Sequence, residues 1–157
     1  QIFRATVRQN LALFEDGMDD DRILGAIESL GLMDWFRGLP MGLDTTITAG
    51  GLSAGESQLL AFARVFLRDP GLVILDEPSS RLDPATERRI DRAVDELLRG
   101  RTGLIIAHHL ATVDRVDDIM ILDEGRVLEY GERTRLKADT DSQFSRLLAV
   151  GLDDHTV

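Results

Sequence analysis

Hydrophobic residues in the first half of the chain recur at helical spacing in two stretches. Behind an acidic cluster at residues 19–21, apolar positions lie three or four residues apart up to Leu30, which predicts a helix that Gly31 ends. A loop is expected over residues 38–51. Ser53 and Glu56 then have the spacing of a capping box, which predicts the start of a second helix. The residues predicted to form its apolar face are Leu59, Phe62, Ala63 and Phe66.

The second half of the chain contains two continuous apolar runs, at residues 72–75 and 103–107. Such runs are typical of parallel strands that are covered on both faces. Between the runs, Asp83 and Pro84 predict the start of a helix that Gly100 ends. This strand–helix–strand order predicts an α/β layered fold with a mainly parallel core sheet.

A hairpin and a helical tail are predicted after the second apolar run. The two strands of the hairpin are expected at residues 118–122 and 126–130, around a turn at 123–125. The tail is expected to be helical to about residue 150, and residues 151–157 are expected to be frayed. The apolar side chains predicted to face inward from the tail are Phe144, Leu147 and Leu148.

Composition narrows the classes of function. Of the 157 residues, 43% are hydrophobic, which suits one domain with a real core, and the formal net charge is -10. So acidic a surface repels nucleic acid and anionic lipid, although backbone N–H groups can still bind a phosphate locally. The absence of cysteine excludes disulfides. There is no apolar run near the roughly 20 residues needed to cross a bilayer. Because the chain begins with Gln1, we interpret it as an internal part of a longer chain.

Polar residues follow each of the two apolar runs. Asp76 and Glu77 come directly after the first run, and His108 follows the second. In parallel sheets, functional side chains collect at the carboxyl ends of the strands. One carboxylate of such a pair can hold hydrated Mg²⁺, and the other can orient a water for attack on a phosphoryl group. Taken alone, an acidic pair after a strand is just as often an ordinary turn.

The predicted helix start at Ser53 is a second candidate site. Small residues at a helix N-terminus leave N–H groups open, and these groups bind phosphate. A capping box and nothing more is the simpler interpretation of this tetrad by itself.

Four motifs taken together resemble the ABC ATPase family. They are Leu-Ser-Ala-Gly-Glu at 52–56, Leu-Val-Ile-Leu-Asp-Glu-Pro at 72–78, Ser-Ser-Arg-Leu-Asp at 79–83 and Ala-His at 107–108. In this order they resemble the signature, Walker B, the D-loop and the H-switch. Residues 2–11, 107–113 and 122–131 resemble segments of the exporter branch. The resemblance covers almost the whole chain, but a Walker A loop is absent from it and Gln1 is not the Q-loop glutamine.

The resemblance implies a P-loop NTPase-like layered fold, of which this chain is the C-terminal portion. Residues from about 11 to 68 correspond to the helical subdomain with the signature helix. Residues from about 71 to 150 correspond to the core with Walker B, the D-loop and the H-switch, including the predicted hairpin and helices.

The resemblance also implies roles at one nucleotide site. Asp76 corresponds to the Mg²⁺ ligand, and Glu77 to the residue that polarises the attacking water. His108 corresponds to a contact of the γ-phosphate that holds this water and Glu77 in place.

Further roles are implied at the dimer interface. Ser53, Gly55 and Glu56 correspond to signature residues that meet the ATP held by a partner domain, and Asp83 reaches across the interface. Three residues depart from the family pattern: Ala54 replaces a glycine, Glu56 a glutamine and Arg81 a small residue. A carboxylate at Glu56 would repel the phosphates unless it turns back to cap Ser53.

The cofactors implied by the resemblance are ATP and Mg²⁺. The implied partners are a second ABC ATPase domain, packed head to tail, and the transmembrane domain of an exporter at the cytoplasmic face of the membrane. No nucleic-acid partner is expected.

Two alternatives stay open. The chain could belong to a soluble ABC ATPase of the translation or chromosome-maintenance type, although that class favours basic surfaces. Alone, it could be an inactive fragment with an exposed, aggregation-prone sheet edge, because it lacks Walker A.

Overall fold

The chain divides into two compact units, Gln1–Ile106 and Ala107–Val157. The structure, a computed structural model, describes residues 1–76, 83–107 and 110–153. Among these residues, no helix combines the length and the apolar character that crossing a membrane requires.

The first unit is mainly helical. Its elements are β1 (Ala5–Thr6), α1 (Val7–Ala12), α2 (Asp20–Ser29), α3 (Met33–Arg37), β2 (Thr46–Ile47), α4 (Ala54–Arg68), β3 (Leu72–Asp76), α5 (Pro84–Leu98) and β4 (Thr102–Ile106). Short 3₁₀ turns at Gly42–Asp44 and Ala49–Gly51 flank β2. The expected loop at 38–51 therefore contains a two-residue strand, which pairs antiparallel with β1.

The predicted helix signals are confirmed in α2 and α4. Asp19 caps α2 by accepting from the Asp21 N–H, and Gly31 follows the helix at a positive φ of 68°. Ser53 caps α4, which ends at Asp69 in the left-handed conformation. Helix α4 packs against α1, α2 and α5. Of its predicted apolar face, Leu59, Phe62 and Ala63 are buried, and Phe66 is partly buried against the same core.

Helix α5 also begins and ends as predicted. Asp83 caps its first turn, Pro84 is its first residue, and Gly100 has a φ of 71° just beyond its end. The face that α5 turns to the core is fully buried: Ile90, Ala93, Val94 and Leu97.

Strands β3 and β4 pair in parallel, with Leu72 opposite Thr102 and Asp76 opposite Ile106. The prediction that both faces of these strands are covered is wrong. Val73 and Leu75 are buried on the helix side, whereas Ile74 is 60% exposed on the other. Leu72, Leu104 and Ile106 are exposed as well. An apolar run indicates that both faces of a strand are apolar. It does not indicate whether a helix or another sheet packs against each face.

The second unit contains the predicted hairpin. A 3₁₀ turn (Leu110–Arg115) precedes β5 (Asp118–Asp123), which pairs antiparallel with β6 (Arg126–Glu132) around a turn with two positive-φ residues, Glu124 and Gly125. In the described residues the strands thus form three separate two-stranded sheets. The chain is mixed α/β as predicted, and a single layered sheet stays a prediction.

Two helices, α6 (Arg133–Ala138) and α7 (Gln143–Asp153), complete the second unit. Its small core is formed by Ile119, Leu136 and Phe144, with Leu148 partly buried beside them. The prediction that Leu147 faces inward is wrong, because this side chain is 42% exposed. Helix α7 continues to Asp153, and residues 154–157 of the expected frayed tail lie outside the described residues.

Candidate functional site

Ser53 and Glu56 bind each other at the start of α4. Ser53 Oγ accepts from the Glu56 N–H over 3.2 Å. In return, Glu56 Oε2 accepts from the Ser53 N–H and from the Ser53 hydroxyl, each over 2.8 Å. The carboxylate of Glu56 therefore turns back onto Ser53. This is the orientation that the sequence analysis gave as the condition for avoiding repulsion between Glu56 and a phosphate.

The next two N–H groups, on Ala54 and Gly55, come before the first intrahelical hydrogen bond, which runs from the Ser57 N–H to the Ser53 carbonyl. Within the described part of the chain, no side chain accepts a hydrogen bond from Ala54 or Gly55. These groups lie at the positive end of the helix dipole, which favours an anion. The backbone here fits a phosphate oxygen.

Gly55 is buried where α4 approaches α5. A Cβ atom at this position would lie 2.3 Å from Thr86 Cγ2, well inside any normal carbon contact. A glycine is therefore required here by the neighbouring helix, independently of any ligand. The sequence did not indicate this requirement, because Gly55 and Thr86 are distant along the chain.

Asp83 is exposed at the start of α5, and its carboxylate is held by the first turn of that helix. Its Oδ1 accepts from the N–H groups of Ala85 and Thr86 over 3.0 and 3.1 Å. A hydrogen bond with the Thr86 side chain, followed by these backbone bonds, holds the pKa of Asp83 below its ordinary value. The N–H groups of Ala85 and Thr86 thus orient the Asp83 carboxylate, a contact of Thr86 that no sequence motif indicated.

Asp76 is exposed at the carboxyl end of β3, opposite Ile106 of β4. The parallel register thus brings the ends of the two apolar runs to one edge of the sheet. Glu77, Arg81 and His108 lie outside the described residues. In the described ranges, no group of three or more His, Cys, Asp or Glu side chains is close enough to share a metal ion. A single exposed carboxylate fits Mg²⁺, which takes one or two protein ligands and keeps several waters.

A buried polar network joins the second half of α4 to the N-terminal segment. Arg64 donates from Nε to the Asn10 carbonyl over 2.7 Å and from Nη2 to Asn10 Oδ1 over 2.9 Å. Burial lowers the pKa of Arg64, whose guanidinium also lies 5.6 Å from the centroid of the Phe3 ring. Asn10 is fully buried. Its side-chain oxygen accepts from the Phe3 N–H, and its side-chain NH2 group donates to the Phe3 carbonyl. The sequence signal that could have indicated this network is Arg64, a charged residue on an otherwise apolar face of α4.

The chain matches a family model described as "AAA domain, putative AbiEii toxin, Type IV TA system" over residues 5–114, more than half of its length. This match covers every described site residue: Ser53, Gly55, Glu56, Asp76 and Asp83. An ATPase domain of this kind implies that a nucleotide is bound.

Curated relatives extend the similarity to almost the whole chain. An "ATP-dependent lipid A-core flippase" of Pseudomonas fluorescens is 40% identical over 98% of this chain and 26% of its own length. Proteins of the same name from Pseudomonas aeruginosa and Bordetella avium are 38% and 40% identical over 98% and 84% of this chain. The chain spans about a quarter of the length of these relatives. The chain belongs to the family of AAA-type ATPase domains, and its similarity to these ATP-dependent flippases is consistent with an ABC-type ATPase domain.

Proposed function

We propose that this chain supplies part of a composite ATP site in an ABC exporter, whose full-length protein hydrolyses ATP to drive transport across a membrane. The observation that carries the proposal is the start of α4. Two N–H groups without an acceptor among the described residues, on Ala54 and Gly55, stand where the family resemblance expects a γ-phosphate.

Three residues are proposed to act at the sheet edge. Asp76 holds Mg²⁺ through its exposed carboxylate, and Mg²⁺ when bound neutralises charge on the phosphates. Glu77 accepts a hydrogen bond from the attacking water and orients it in line with the terminal phosphate. His108 donates a hydrogen bond to the same phosphate. The pairing of Asp76 with Ile106 supports this grouping, because it aligns the ends of the two strands.

The partner of this chain is proposed to be a second ATP-binding domain, packed head to tail. In that arrangement Ser53, Gly55 and Glu56 face the nucleotide held by the partner, and Asp83 reaches across the interface toward the other nucleotide. The capped start of α4 supports this role, because Ser53 and Ala54 are exposed there while Gly55 fixes the helix against α5.

The transmembrane domain that completes the exporter is proposed to place this segment at the cytoplasmic face of the membrane. Since the relatives named above are called lipid A-core flippases, a glycolipid of that type is the first transport substrate to test.

Single-turnover ATP hydrolysis by the full-length protein tests the proposal. Replacing the general base, Glu77→Gln, is expected to slow the step by about 10²-fold or more, because the amide cannot accept the proton of the water. The matched control is Glu124→Gln, which removes an exposed carboxylate in the β5–β6 turn and should leave the rate unchanged. Equal rates for wild type and Glu77→Gln would refute the role given to Glu77.

A further inference from the structure

Arg64 is a buried cation in the second half of α4. It is only 9% exposed, and the other buried residues of this helix are apolar. Its hydrogen bonds go to neutral acceptors: Nε donates to the Asn10 carbonyl, Nη2 to Asn10 Oδ1 and Nη1 to the Gln1 carbonyl. Among the residues that the structure describes, no carboxylate forms an ion pair with Arg64. Burying such a charge costs desolvation free energy that an apolar side chain would not, so we expect its benefit to lie in geometry rather than in stability.

Asn10 extends this contact to the first six residues of the chain. The Asn10 side chain has no exposed surface, and its Oδ1 accepts from the Phe3 N–H over 2.9 Å. Its NH2 group donates to three backbone carbonyls over 3.0–3.3 Å, those of Phe3, Ala5 and Thr6. Directional hydrogen bonds therefore attach residues 1–6 to α4 through two buried side chains, Arg64 and Asn10, which we call the clamp.

The clamp acts on α4 at a distance from the start of the helix. Arg64 follows Ala54 by ten positions, which corresponds to about 15 Å along the helix axis. Over this length, a tilt of α4 by about 4° about Arg64 moves the N–H groups of Ala54 and Gly55 by about 1 Å. The packing of Gly55 against Thr86 prevents movement of the helix start toward α5, but a steric contact does not prevent movement in other directions. The hydrogen bonds of the clamp provide the directional restraint that this contact lacks.

We propose that the clamp orients α4, so that the N–H groups of Ala54 and Gly55 are directed at the position expected for a phosphate. Arg64 and Asn10 are then positioning residues, which act through the helix and do not contact the nucleotide. The consequence for ATP hydrolysis rests on the proposed function, whereas the effect on the direction of α4 does not.

Two substitutions weaken the clamp from opposite sides. Arg64→Lys keeps the positive charge but removes the guanidinium, which binds both acceptors of Asn10 at once. Asn10→Asp keeps the shape of the side chain and its Oδ1 acceptor but removes the NH2 group that holds residues 1–6. The matched control is Arg68→Lys, one turn later on α4, because Arg68 binds Glu15 in an exposed ion pair that a lysine can also form.

The first measurement needs no nucleotide. In the 157-residue chain, residual dipolar couplings of the backbone N–H groups report the angle between α4 and α5. This angle is expected to change by about 4° or more in both clamp variants and to stay unchanged in Arg68→Lys. If Arg64→Lys does not fold, the conservative Asn10→Asp variant decides. An angle that is unchanged in either folded clamp variant, or that changes equally in the control, overturns the proposal.

The second measurement is single-turnover ATP hydrolysis by the full-length protein. In both clamp variants the rate constant is expected to fall by about tenfold or more, because a displacement of about 1 Å misplaces the N–H groups relative to the phosphate. A purely structural role would lower the amount of active protein, and hence the amplitude of the reaction, but not this first-order rate constant. Arg68→Lys should leave the rate constant unchanged.

The two measurements fail in different ways. Rate constants unchanged in both clamp variants would overturn the contribution of the clamp to hydrolysis. Absence of ATP hydrolysis by the wild type would instead refute the proposed function, while the dipolar couplings would still decide whether Arg64 and Asn10 orient α4.

Discussion

A methyl group added at Gly55 tests the close approach of α4 and α5 directly. In Gly55→Ala the new Cβ would lie 2.3 Å from Thr86 Cγ2, whereas carbon atoms in contact are normally about 3.5–4.0 Å apart. Thr86 cannot rotate away cheaply, because its side chain is branched at Cβ and its χ1 angle is therefore stiff. One of the two helix starts must therefore shift by about 1 Å or more.

The magnitude follows from two opposing contributions. Inserting one methyl group into a packed contact costs about 1–3 kcal/mol. Replacing glycine by alanine in a helix recovers at most about 1 kcal/mol, and less in the first turn, where Gly55 lies. We expect Gly55→Ala to lower the free energy of unfolding by about 1–2 kcal/mol.

Urea denaturation of the 157-residue chain measures this change, with Gly25→Ala as the matched control. Gly25 lies in α2 with nothing within 4 Å of its Cβ position, so the same substitution there should stabilise the chain by about 0.4–1 kcal/mol. Combining Gly55→Ala with Thr86→Ser removes the colliding methyl and should recover most of the loss. The reasoning would be refuted by a Gly55→Ala chain as stable as wild type, or by a loss that Thr86→Ser leaves unchanged.

Three further predictions concern neighbouring side chains. Glu56→Gln in the full-length protein should lower KM for ATP by about two- to fivefold, because it removes the negative charge of a half-buried carboxylate beside the proposed phosphate position; an unchanged or higher KM would contradict this. Arg64→Lys should lower the free energy of unfolding by about 1–3 kcal/mol, since lysine cannot bind the Asn10 carbonyl and side chain together. The exposed Arg99→Lys is its control and should change stability by less than about 0.5 kcal/mol. Asp83→Ala should lower the urea midpoint at pH 7, and the deficit should shrink as pH falls through the lowered pKa of Asp83, since the stabilising carboxylate is lost on protonation; a deficit independent of pH would count against this.

Local signals in the sequence predicted the starts of α2, α4 and α5 well, because each signal acts within one turn of the chain, whereas α1 and α3 were not predicted. The bond between Ser53 and Glu56 joins residues three positions apart, and Asp83 caps the residues directly after it. The parallel pairing of β3 with β4 could be predicted from the helix between them, because a helical connection returns the chain to the end of the sheet at which β3 began.

Burial and contacts between distant residues could not be predicted in the same way. The sequence does not distinguish the exposed Ile74 from a covered residue, because an apolar side chain does not indicate which element packs against it. Leu147 follows Phe144 by three positions on α7, yet only Phe144 reaches the small core. Likewise, Glu129 of β6 caps the start of α7 by accepting hydrogen bonds from the N–H groups of Gln143 and Phe144. No short sequence motif predicts this cap, because Glu129 is distant from α7 along the chain.

The cap of α4 and the proposed phosphate contact of Ser53 require the same atoms. Glu56 Oε2 takes both the N–H and the hydroxyl of Ser53, so a phosphate oxygen that bound Ser53 would have to displace a carboxylate of its own charge. No carboxylate among the described residues accepts from the N–H groups of Ala54 and Gly55. Thr86 leaves no room for a side chain at Gly55. If the proposed function holds, phosphate recognition by this chain therefore rests first on the backbone of residues 54 and 55, and Glu56 determines how much Ser53 can add.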